Sequence, residues 1–245
     1  MGDDTLWVST MPSLHRLRKR PPLVDRVPWL EASARDASVA HLGFVDAARG
    51  EDKRESGTWL HERLARSAAR LIGIDDDSDG VERARRAGFE AYRCDLQDVD
   101  AVSALGLRPA ELAIAGELIE HLDCPGRFLD AVRSLVVDGG RLILTTPNAT
   151  SLTNLVVAVS RREWSSPHHV GMYSWRTLSS LLGRHGWEAQ EILFYYRGRR
   201  VGAEAAARPG LAAAFNSYER VTRPVLRRLP AIADGLIVVA RKPPT

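Results

Sequence analysis

The sequence predicts an α/β protein built on a Rossmann-like, doubly wound sheet. Short apolar runs alternate with segments that carry helix signals, as expected when helices connect parallel strands. Two of these runs, residues 71–74 and 112–116, are followed directly by the acids Asp75 and Glu117. In open α/β sheets, ligands bind outside the carboxyl ends of the strands. The two acids therefore mark the predicted binding edge.

Length and composition indicate a soluble globular protein. The 245 residues are 44% hydrophobic and 27% charged, which is enough chain and apolar content for one large domain. No apolar run approaches the ~18–20 residues of a membrane span, and the first residues lack a basic-then-apolar signal. We expect a cytoplasmic location. Cys94 and Cys124 have neither the spacing of metal ligands nor the density of a disulfide framework.

The basic residues are nearly all arginines. Only three of the 34 are lysines, the formal net charge is +3, and the 31 acids are interspersed among them. A protein that follows a nucleic-acid backbone usually concentrates positive charge on one face. We therefore expect no nucleic-acid partner.

The first part of the chain is predicted to be an N-terminal extension, residues 1–38, followed by a domain over 39–245. The extension has a basic run at 15–20, and apolar residues return at 27–30 as a helix that packs on the sheet. The first strand is expected at 39–43. Thr58 is a plausible N-cap for a helix that runs from Trp59 to about Ala69.

Four further strands are expected before residue 149. Asp79 can cap the helix after strand 71–75, and Gly88 can end it. The remaining strands of this part are 90–94, which delivers Asp95, then 112–116, and 141–146 after a helix from Pro125.

The last third is predicted to add two strands, giving seven in all with an antiparallel last strand. A loop-rich stretch at 149–173 leads to a helix capped by Ser174, then to a strand at 187–196. Residues 197–233 form a helical insertion with an amphipathic helix at about 211–229, and 234–240 is the final strand. That helix could cover the core, close as a lid, or touch a membrane surface transiently.

Several stretches resemble class I S-adenosylmethionine-dependent methyltransferases, in particular the small-molecule branch around the ubiquinone-biosynthesis and type-11 domains. They are Gly-Ile-Asp at 73–75, Cys-Asp-Leu at 94–96, Ala-Gly-Glu-Leu-Ile-Glu-His-Leu at 115–122, Gly-Gly-Arg-Leu-Ile-Leu-Thr-Thr-Pro-Asn at 139–148, and His-Val-Gly-Met-Tyr-Ser at 169–174. The similarity spans about residues 39–196, and 111–148 is its most specific part.

The resemblance implies S-adenosylmethionine as cofactor and assigns residues to it. Asp75 is similar to the acid that binds the ribose, and Asp95 to the residue that accepts from the adenine amino group, with Leu96 packing beside it. Gly116 and Glu117 are similar to residues that line the methionine side.

The first loop departs from the family pattern acid-x-Gly-x-Gly-x-Gly. Here the acid is replaced by His41, the first glycine is Gly43, and Val45 and Ala47 stand in place of the other two. Either Gly50 or Gly57 makes the close approach to the cofactor, or the pocket is degraded. In the second case the chain would be a non-catalytic cofactor-binding or regulatory module.

Methyl transfer to a hydroxyl requires that the acceptor be held in line with the methyl group and that a base take the hydroxyl proton. Histidine suits the role of base because imidazole has a near-neutral pKa. His168 and His169 are the leading candidates, because they lie in a loop expected to arch over the pocket. His121, beside Glu117 and Glu120, is a second candidate. No residue spacing suggests a metal site, although ligands distant in sequence would escape this search.

We therefore expect an enzyme that methylates a small-molecule or glycan acceptor, most plausibly at oxygen. The sequence leaves the oligomeric state and the acceptor undetermined. A nicotinamide dehydrogenase is disfavoured, because the chain has no Gly-x-Gly-x-x-Gly turn.

Overall fold

A computed structural model describes residues 17, 20–45, 57–163, 165–196 and 222–244. These ranges contain one mixed sheet whose strands run in the order β1-β7-β8-β6-β5-β2-β3-β4. The strands are β1 (Leu23–Val24), β2 (Ser38–Leu42), β3 (Arg70–Asp75), β4 (Glu90–Arg93), β5 (Ala110–Gly116), β6 (Val136–Pro147), β7 (Glu188–Tyr195) and β8 (Gly235–Arg241). The helices are α1 (Arg26–Ala34), α2 (Leu60–Ala65), α3 (Ser78–Arg86), α4 (Val99–Ala104), α5 (Pro125–Leu135), α6 (Leu152–Val159), α7 (Trp175–Arg184) and α8 (222–228), with 3-10 turns at Ile119–His121 and Pro230–Ile232.

The predicted fold class, a doubly wound sheet with an antiparallel last strand, is confirmed. β8 runs antiparallel to both of its neighbours, β6 and β7, whereas all the other strand pairs of the described sheet are parallel. The sheet has eight strands in the described ranges instead of the seven predicted. The additional strand is β1, which pairs with the end of β7 and is only two residues long. Two residues are too few to show a periodic pattern in the sequence.

The described end of the predicted N-terminal extension is part of the packed domain. α1 lies against the sheet, with Leu30 and Ala34 both 0% exposed. Leu30 belongs to the core cluster on one face of the sheet, together with Ile114 and Ile143. Residues 1–16, 18 and 19 lie outside the described ranges.

Some local predictions were wrong. The cap of α3 is Asp77, whose side chain accepts from the Gly80 amide, and not Asp79. The stretch 149–173 was expected to be loop but contains α6, which begins at the N-cap Ser151. α6 is apolar around much of its circumference, so its sequence shows no clear helical period.

Two further elements have boundaries that differ from those expected. α2 has Trp59 as its N-cap instead of Thr58 and ends at Ala65 instead of about Ala69, and β6 begins at Val136 instead of 141. Ser174 caps α7 with a reciprocal capping box, as predicted. Of the predicted amphipathic helix 211–229, only 222–229 falls within the described ranges, and 222–228 of these residues are helical. None of the helices in the described ranges combines the length and apolar character required to cross a bilayer.

Removing the Leu30 side chain tests whether α1 is an integral part of the domain. Leu30→Ala should lower the free energy of unfolding by about 2–5 kcal/mol, because it leaves a cavity in a fully buried position. Urea unfolding followed by tryptophan fluorescence measures the change. Leu229→Ala is the control, since Leu229 is 57% exposed and its truncation should cost well under 1 kcal/mol. Equal stability of the two variants would show that α1 is dispensable.

Candidate active site

The two predicted cofactor acids lie at the same edge of the sheet. Asp75 ends β3 and Asp95 follows β4, and these neighbouring strands are parallel. The amide of Cys94, immediately before Asp95, donates to the carbonyl oxygen of Asp75 at 2.9 Å. The carboxyl ends of both strands therefore meet where a single ligand could contact both acids.

The Asp75 carboxylate is held by backbone amides at this edge. Its Oδ2 accepts from the Val45 amide at 2.9 Å and its Oδ1 from the Asp77 amide at 3.1 Å. The residue is only 8% exposed. Burial is the largest effect and raises the pKa of Asp75, whereas the two amide hydrogen bonds oppose that rise. Each carboxylate oxygen has two acceptor positions, so this carboxylate can still bind a further donor.

Asp95 and Leu96 present a different pair of surfaces. Asp95 is exposed, and its Oδ1 accepts from the Gln97 amide at 2.8 Å. Leu96 is buried in the main core cluster. The exposed Asp95 carboxylate can accept a hydrogen bond from the polar edge of a ring. The Leu96 side chain beside it can pack against the face of the same ring.

The two ends of the first loop, residues 43–59, are joined by packing. The Trp59 indole donates to the Phe44 carbonyl oxygen at 2.9 Å, and both side chains are buried in one cluster. Gly57 has a positive φ of 62°, but no atom lies within 4 Å of the position of a Cβ there. Gly57 therefore meets no protein atom at that position, and its close approach to the cofactor stays a prediction. Gly50 and Ala47 fall outside the described ranges.

His41, which stands where the family has an acid, is paired with a second histidine. Its Nδ1 lies 3.1 Å from Nδ1 of His61, and both rings are buried. One Nδ1 must donate and the other accept, so the contact fits two neutral rings of opposite tautomer. Burial lowers the pKa of His61 to about 3. Burial is also the largest cause of the lowered pKa of His41. The charge of the family acid is thus replaced by a neutral pair.

Gly43 occupies a position that only glycine suits. Its φ is 65°, and a Cβ there would lie 2.7 Å from Cδ1 of Leu118. Its amide donates to the carbonyl oxygen of Ile74 at 2.9 Å. The turn after β2 therefore packs tightly against the segment after β5.

A buried hydroxyl connects an arginine and a glutamate beside Gly116. Arg26 Nε donates to Thr145 Oγ1 at 2.9 Å, and Thr145 Oγ1 donates to Glu117 Oε1 at 3.2 Å. A Cβ on Gly116 would lie 2.5 Å from Nη2 of Arg26. Gly116 thus leaves room for the guanidinium, and an anionic and a cationic group lie side by side at the end of β5.

Tyr195 reaches the same glutamate from β7. Its hydroxyl donates to Oε1 of Glu117. The ring lies over Gly235 of β8, where a Cβ would be only 2.1 Å from the Tyr195 Cζ. Glu117 itself has a positive φ of 56°, which is uncommon for a residue other than glycine, and strained backbone of this kind is enriched at functional sites.

A second group of side chains lies close by, on the 3-10 turn after β5. Ligand atoms of Glu120, His121 and His169 all lie within 4.8 Å of one another. The buried Glu120 carboxylate accepts a hydrogen bond from Thr146 Oγ1 at 2.9 Å. The backbone carbonyl oxygen of Glu120 accepts from the amides of Val170 and Gly171. The rings of His121 and His169 meet edge to face, with centroids 4.7 Å apart. The structure thus brings His121 and His169 into contact, although the sequence placed them in separate groups of candidates.

His168 takes part through its backbone. Its carbonyl oxygen lies 3.0 Å from Nδ1 of His121, and its own side chain is exposed. A carbonyl can only accept, so Nδ1 of His121 carries the proton in that contact. In the neutral ring this leaves a lone pair on Nε2, available to a proton or a metal ion.

Two aspects of this site escaped sequence reasoning. Arg26, Thr145 and Tyr195 gave no local signal, since Arg26 is one of 31 arginines and the other two lie in the C-terminal parts of strands, among apolar residues. The grouping of Glu120 and His121 with His169 was missed as well, because His169 is far away in sequence. Such a group can hold a divalent cation, so the expectation of no metal stays an untested prediction.

The geometry defines a nucleotide-binding α/β enzyme site, and comparison with known proteins gives the family. The model of a family described as a methyltransferase domain matches residues 24–192, more than half of the chain. The chain belongs to this family. The predicted class, an S-adenosylmethionine-dependent methyltransferase of class I, is confirmed, and with it the cofactor of that class.

Individual relatives are more distant. The chain is 31% identical over 125 residues to a ubiquinone biosynthesis O-methyltransferase of Xylella fastidiosa, covering 49% of this chain and 50% of that protein. It is 27% identical over 152 residues to the human mitochondrial protein of that name, covering 56% and 40%. The chain thus spans about half the length of the curated relatives it matches. An Archaeoglobus fulgidus SAM-dependent methyltransferase structure shares the fold, with a TM-score of 0.52, 16% identity and coverage of 88% and 94%.

The buried histidine pair predicts how stability depends on pH. Well above pH 6.5, the ordinary pKa of histidine, both rings are neutral in the folded and in the unfolded state. Below that pH, the unfolded chain binds protons that the folded protein excludes, so the free energy of unfolding falls as the pH drops towards about 3. His61 alone contributes a slope of about 1.4 kcal/mol per pH unit. The raised pKa of Asp75 has the opposite effect at pH values just above 3.8, the ordinary pKa of the group, because the folded protein binds the extra proton there. It offsets part of the loss in the free energy of unfolding.

Urea unfolding between pH 4.5 and 7.5 measures this slope. His61→Phe keeps a ring among Phe44, Trp59 and Phe89 but removes one titrating group. Below pH 6.5 the variant should take up about one proton fewer on unfolding, so its free energy of unfolding should fall less steeply as the pH drops. His168→Phe is the control, because His168 is exposed, and it should keep the wild-type slope. A wild-type slope in His61→Phe would contradict the exclusion of protons from this pair.

Proposed function

We propose that the protein transfers the methyl group of S-adenosylmethionine to a hydroxyl of a small-molecule or glycan acceptor. The observation that carries this proposal is the Glu120, His121 and His169 group beside the methionine-side residues Gly116 and Glu117. An oxygen nucleophile has to lose a proton during the transfer, and this group supplies the means. The curated relatives named above are O-methyltransferases, which supports oxygen as the acceptor atom.

The methionine end of the cofactor fits the network around Thr145. That end carries one carboxylate and one ammonium group, and the network offers the Arg26 guanidinium and the Glu117 carboxylate. The absence of a Cβ at Gly116 leaves room for that guanidinium beside the glutamate. Arg26 is therefore the proposed partner of the carboxylate, and Glu117 that of the ammonium group.

The nucleoside end fits the acids at the ends of β3 and β4. The remaining acceptor positions of Asp75 suit the two ribose hydroxyls, and burial strengthens these bonds. Asp95 is placed to accept from the adenine amino group, while Leu96 supports the ring. The turn at Gly43, held by Leu118, closes the pocket from the side of β2.

The reaction itself is an in-line displacement. The carbon–sulfur bond breaks as the new carbon–oxygen bond forms, the bonding electrons return to sulfur, and the hydroxyl proton leaves the acceptor. Nε2 of His121 and the His169 ring are the proposed proton acceptors. Glu120 positions them, because its backbone holds the 170–171 segment and its carboxylate is fixed by Thr146.

The same three side chains would suit a divalent cation. Ligand atoms on a common metal ion lie about 3–4 Å apart when each bond is about 2.0–2.2 Å, a spacing that this group can reach with small side-chain movements. A bound cation would lower the pKa of the acceptor hydroxyl, so that the proton is lost to solvent or to a neighbouring ring. Chelation distinguishes this route from an imidazole base acting alone.

Cofactor binding can be tested without knowing the acceptor. Calorimetry with S-adenosylhomocysteine, the demethylated product, should show binding to the wild type. Asp75→Asn should weaken it by about 10-fold or more, because a buried charge-assisted bond contributes roughly 1.5–3 kcal/mol. The matched control is Asp79→Asn, an exposed acid of the next helix, which should bind as the wild type does. Absence of binding at millimolar concentration would refute the assignment of this pocket.

Methyl transfer can be followed as release of S-adenosylhomocysteine with a panel of phenols, catechols and sugars. His169→Asn should lower kcat by about 100-fold or more, the usual contribution of a general base. Glu120→Gln should lower kcat by a smaller factor, because Glu120 positions the histidines and does not itself take the proton. His168→Asn should change kcat by less than twofold, because only its backbone contacts the site. Equal losses in all three variants would show that the loop as a whole, and not the group, is required.

Chelation completes this test. Loss of turnover with EDTA and recovery with Mg²⁺, Mn²⁺ or Zn²⁺ would assign the group to a metal ion. Unchanged turnover would assign it to an imidazole base. Tight cofactor binding with no transfer to any acceptor would favour the non-catalytic alternative.

A further inference from the structure

A cavity of about 560 Å³ lies at the outer end of the sheet, apart from the groups assigned above. Its walls are the segment 20–25, the residue Tyr196 just after β7, and helix α8 with the turn that follows it. We call it the arginine cavity, after Arg20, Arg223 and Arg227, which all line it. A volume of this size is typical of sites that bind small molecules.

The three arginines give the cavity a marked positive charge. Arg223 lies over the Tyr196 ring, with 5.8 Å between its guanidinium carbon and the ring centroid. Among the described residues, none of the ion pairs includes any of the three arginines. Asp25 is the one acid among the lining residues. The cationic groups outnumber the acid three to one at this position.

The rest of the lining is apolar. Pro21, Pro22, Leu23, Val24, Leu226 and Pro230 make up most of it. Leu226 of α8 is buried, whereas the arginines on the same helix are exposed. A ligand would therefore meet an apolar floor and a cationic rim.

The walls are joined to each other and to the sheet. A guanidinium nitrogen of Arg20 donates to the carbonyl oxygen of Arg227, which connects the N-terminal wall to α8. The Phe194 amide donates to the Pro22 carbonyl oxygen at 3.0 Å, and β1 pairs with β7 just beyond. A cavity formed by connected walls loses less entropy on binding than one that must first assemble.

We propose that the arginine cavity binds an organic anion, meaning a phosphate or carboxylate group carried on an apolar or aromatic body. Guanidinium groups match both anions in charge and in planar, two-point hydrogen bonding. The apolar floor takes up the body of the molecule, and Tyr196 offers a ring for stacking. The cavity shares none of the residues assigned to the cofactor or to the proton acceptor.

Calorimetry on the full chain without S-adenosylmethionine tests this site. The probes are phenyl phosphate, phenol and inorganic phosphate, which separate the contributions of anion and ring. Phenyl phosphate should bind best, at least tenfold more tightly than either fragment. Arg223→Gln and Arg227→Gln should each weaken it by about tenfold or more, since each removes one charge-assisted contact.

Arg228→Gln is the matched control, because Arg228 is exposed on the same helix and does not line the cavity. It should keep the wild-type affinity. Equal weakening in Arg228→Gln, or equal affinity for phenol and phenyl phosphate, would overturn the proposal. So would the absence of phenyl phosphate binding to a folded wild type, provided that the vesicle test below is negative too.

A lipid headgroup could supply the same chemistry, and a second measurement identifies the source. Sedimentation with vesicles of phosphatidylcholine containing one-fifth phosphatidylglycerol, against pure phosphatidylcholine, reports binding to an anionic lipid. Vesicle binding that falls about tenfold in Arg223→Gln but not in Arg228→Gln would identify the lipid as the source. Phenyl phosphate binding without vesicle binding would identify a soluble anion. Vesicle binding unaffected by Arg223→Gln, with no phenyl phosphate binding, would exclude the cavity as an anion site.

Discussion

The arrangement of the candidate site depends on the buried hydroxyl of Thr145. It accepts from Arg26 and donates to Glu117, so it links the start of α1, the end of β6 and the turn after β5. A guanidinium and a carboxylate that are partly removed from water need such partners, because an isolated charge there would be costly. The position of α1 and the unusual backbone of Glu117 both follow from satisfying this network. Gly116 is required beside it because any larger residue would displace the arginine.

The sheet topology is what allows residues from five strands, β3 and β5 to β8, to lie at one edge. β8 is antiparallel to both neighbours, so β7 points in the same direction as β6 and β5. Tyr195, Gly235 and Pro147 are in register across these strands, at the edge where Asp75 and Gly116 also lie. The Tyr195 ring can cross β8 only because Gly235 has no side chain. A single reversed strand thus brings the outer part of the sheet to the binding edge.

The altered first loop has a coherent local structure in place of the family's acid. His41 and His61 form a neutral pair in an aromatic cluster with Phe44 and Trp59. Neutral rings tolerate this burial, whereas an unpaired carboxylate at the same position would not. Val45, in place of a glycine, packs against Gly80 and uses its amide to hold Asp75. Asp75, the proposed ribose acid, is thereby oriented by the described start of the loop, and the departure from the pattern is compatible with a formed pocket in the described ranges.

The sequence alone determined the fold class, the places of most strands along the chain and the positions of Asp75, Asp95, Gly116 and Glu117 at strand ends. These features are local, because a buried strand needs a continuous apolar run and an acid can follow it only where the strand meets solvent. Only the tertiary structure decided that Arg26 and Tyr195 join Glu117, that His169 meets His121, and that three arginines surround one cavity. Those contacts join segments far apart in sequence, and their pairing is set by strand order and register, which no local pattern records. The two-residue strand β1 and the apolar helix α6 were missed for a related reason, since one is too short and the other too uniform to show a period.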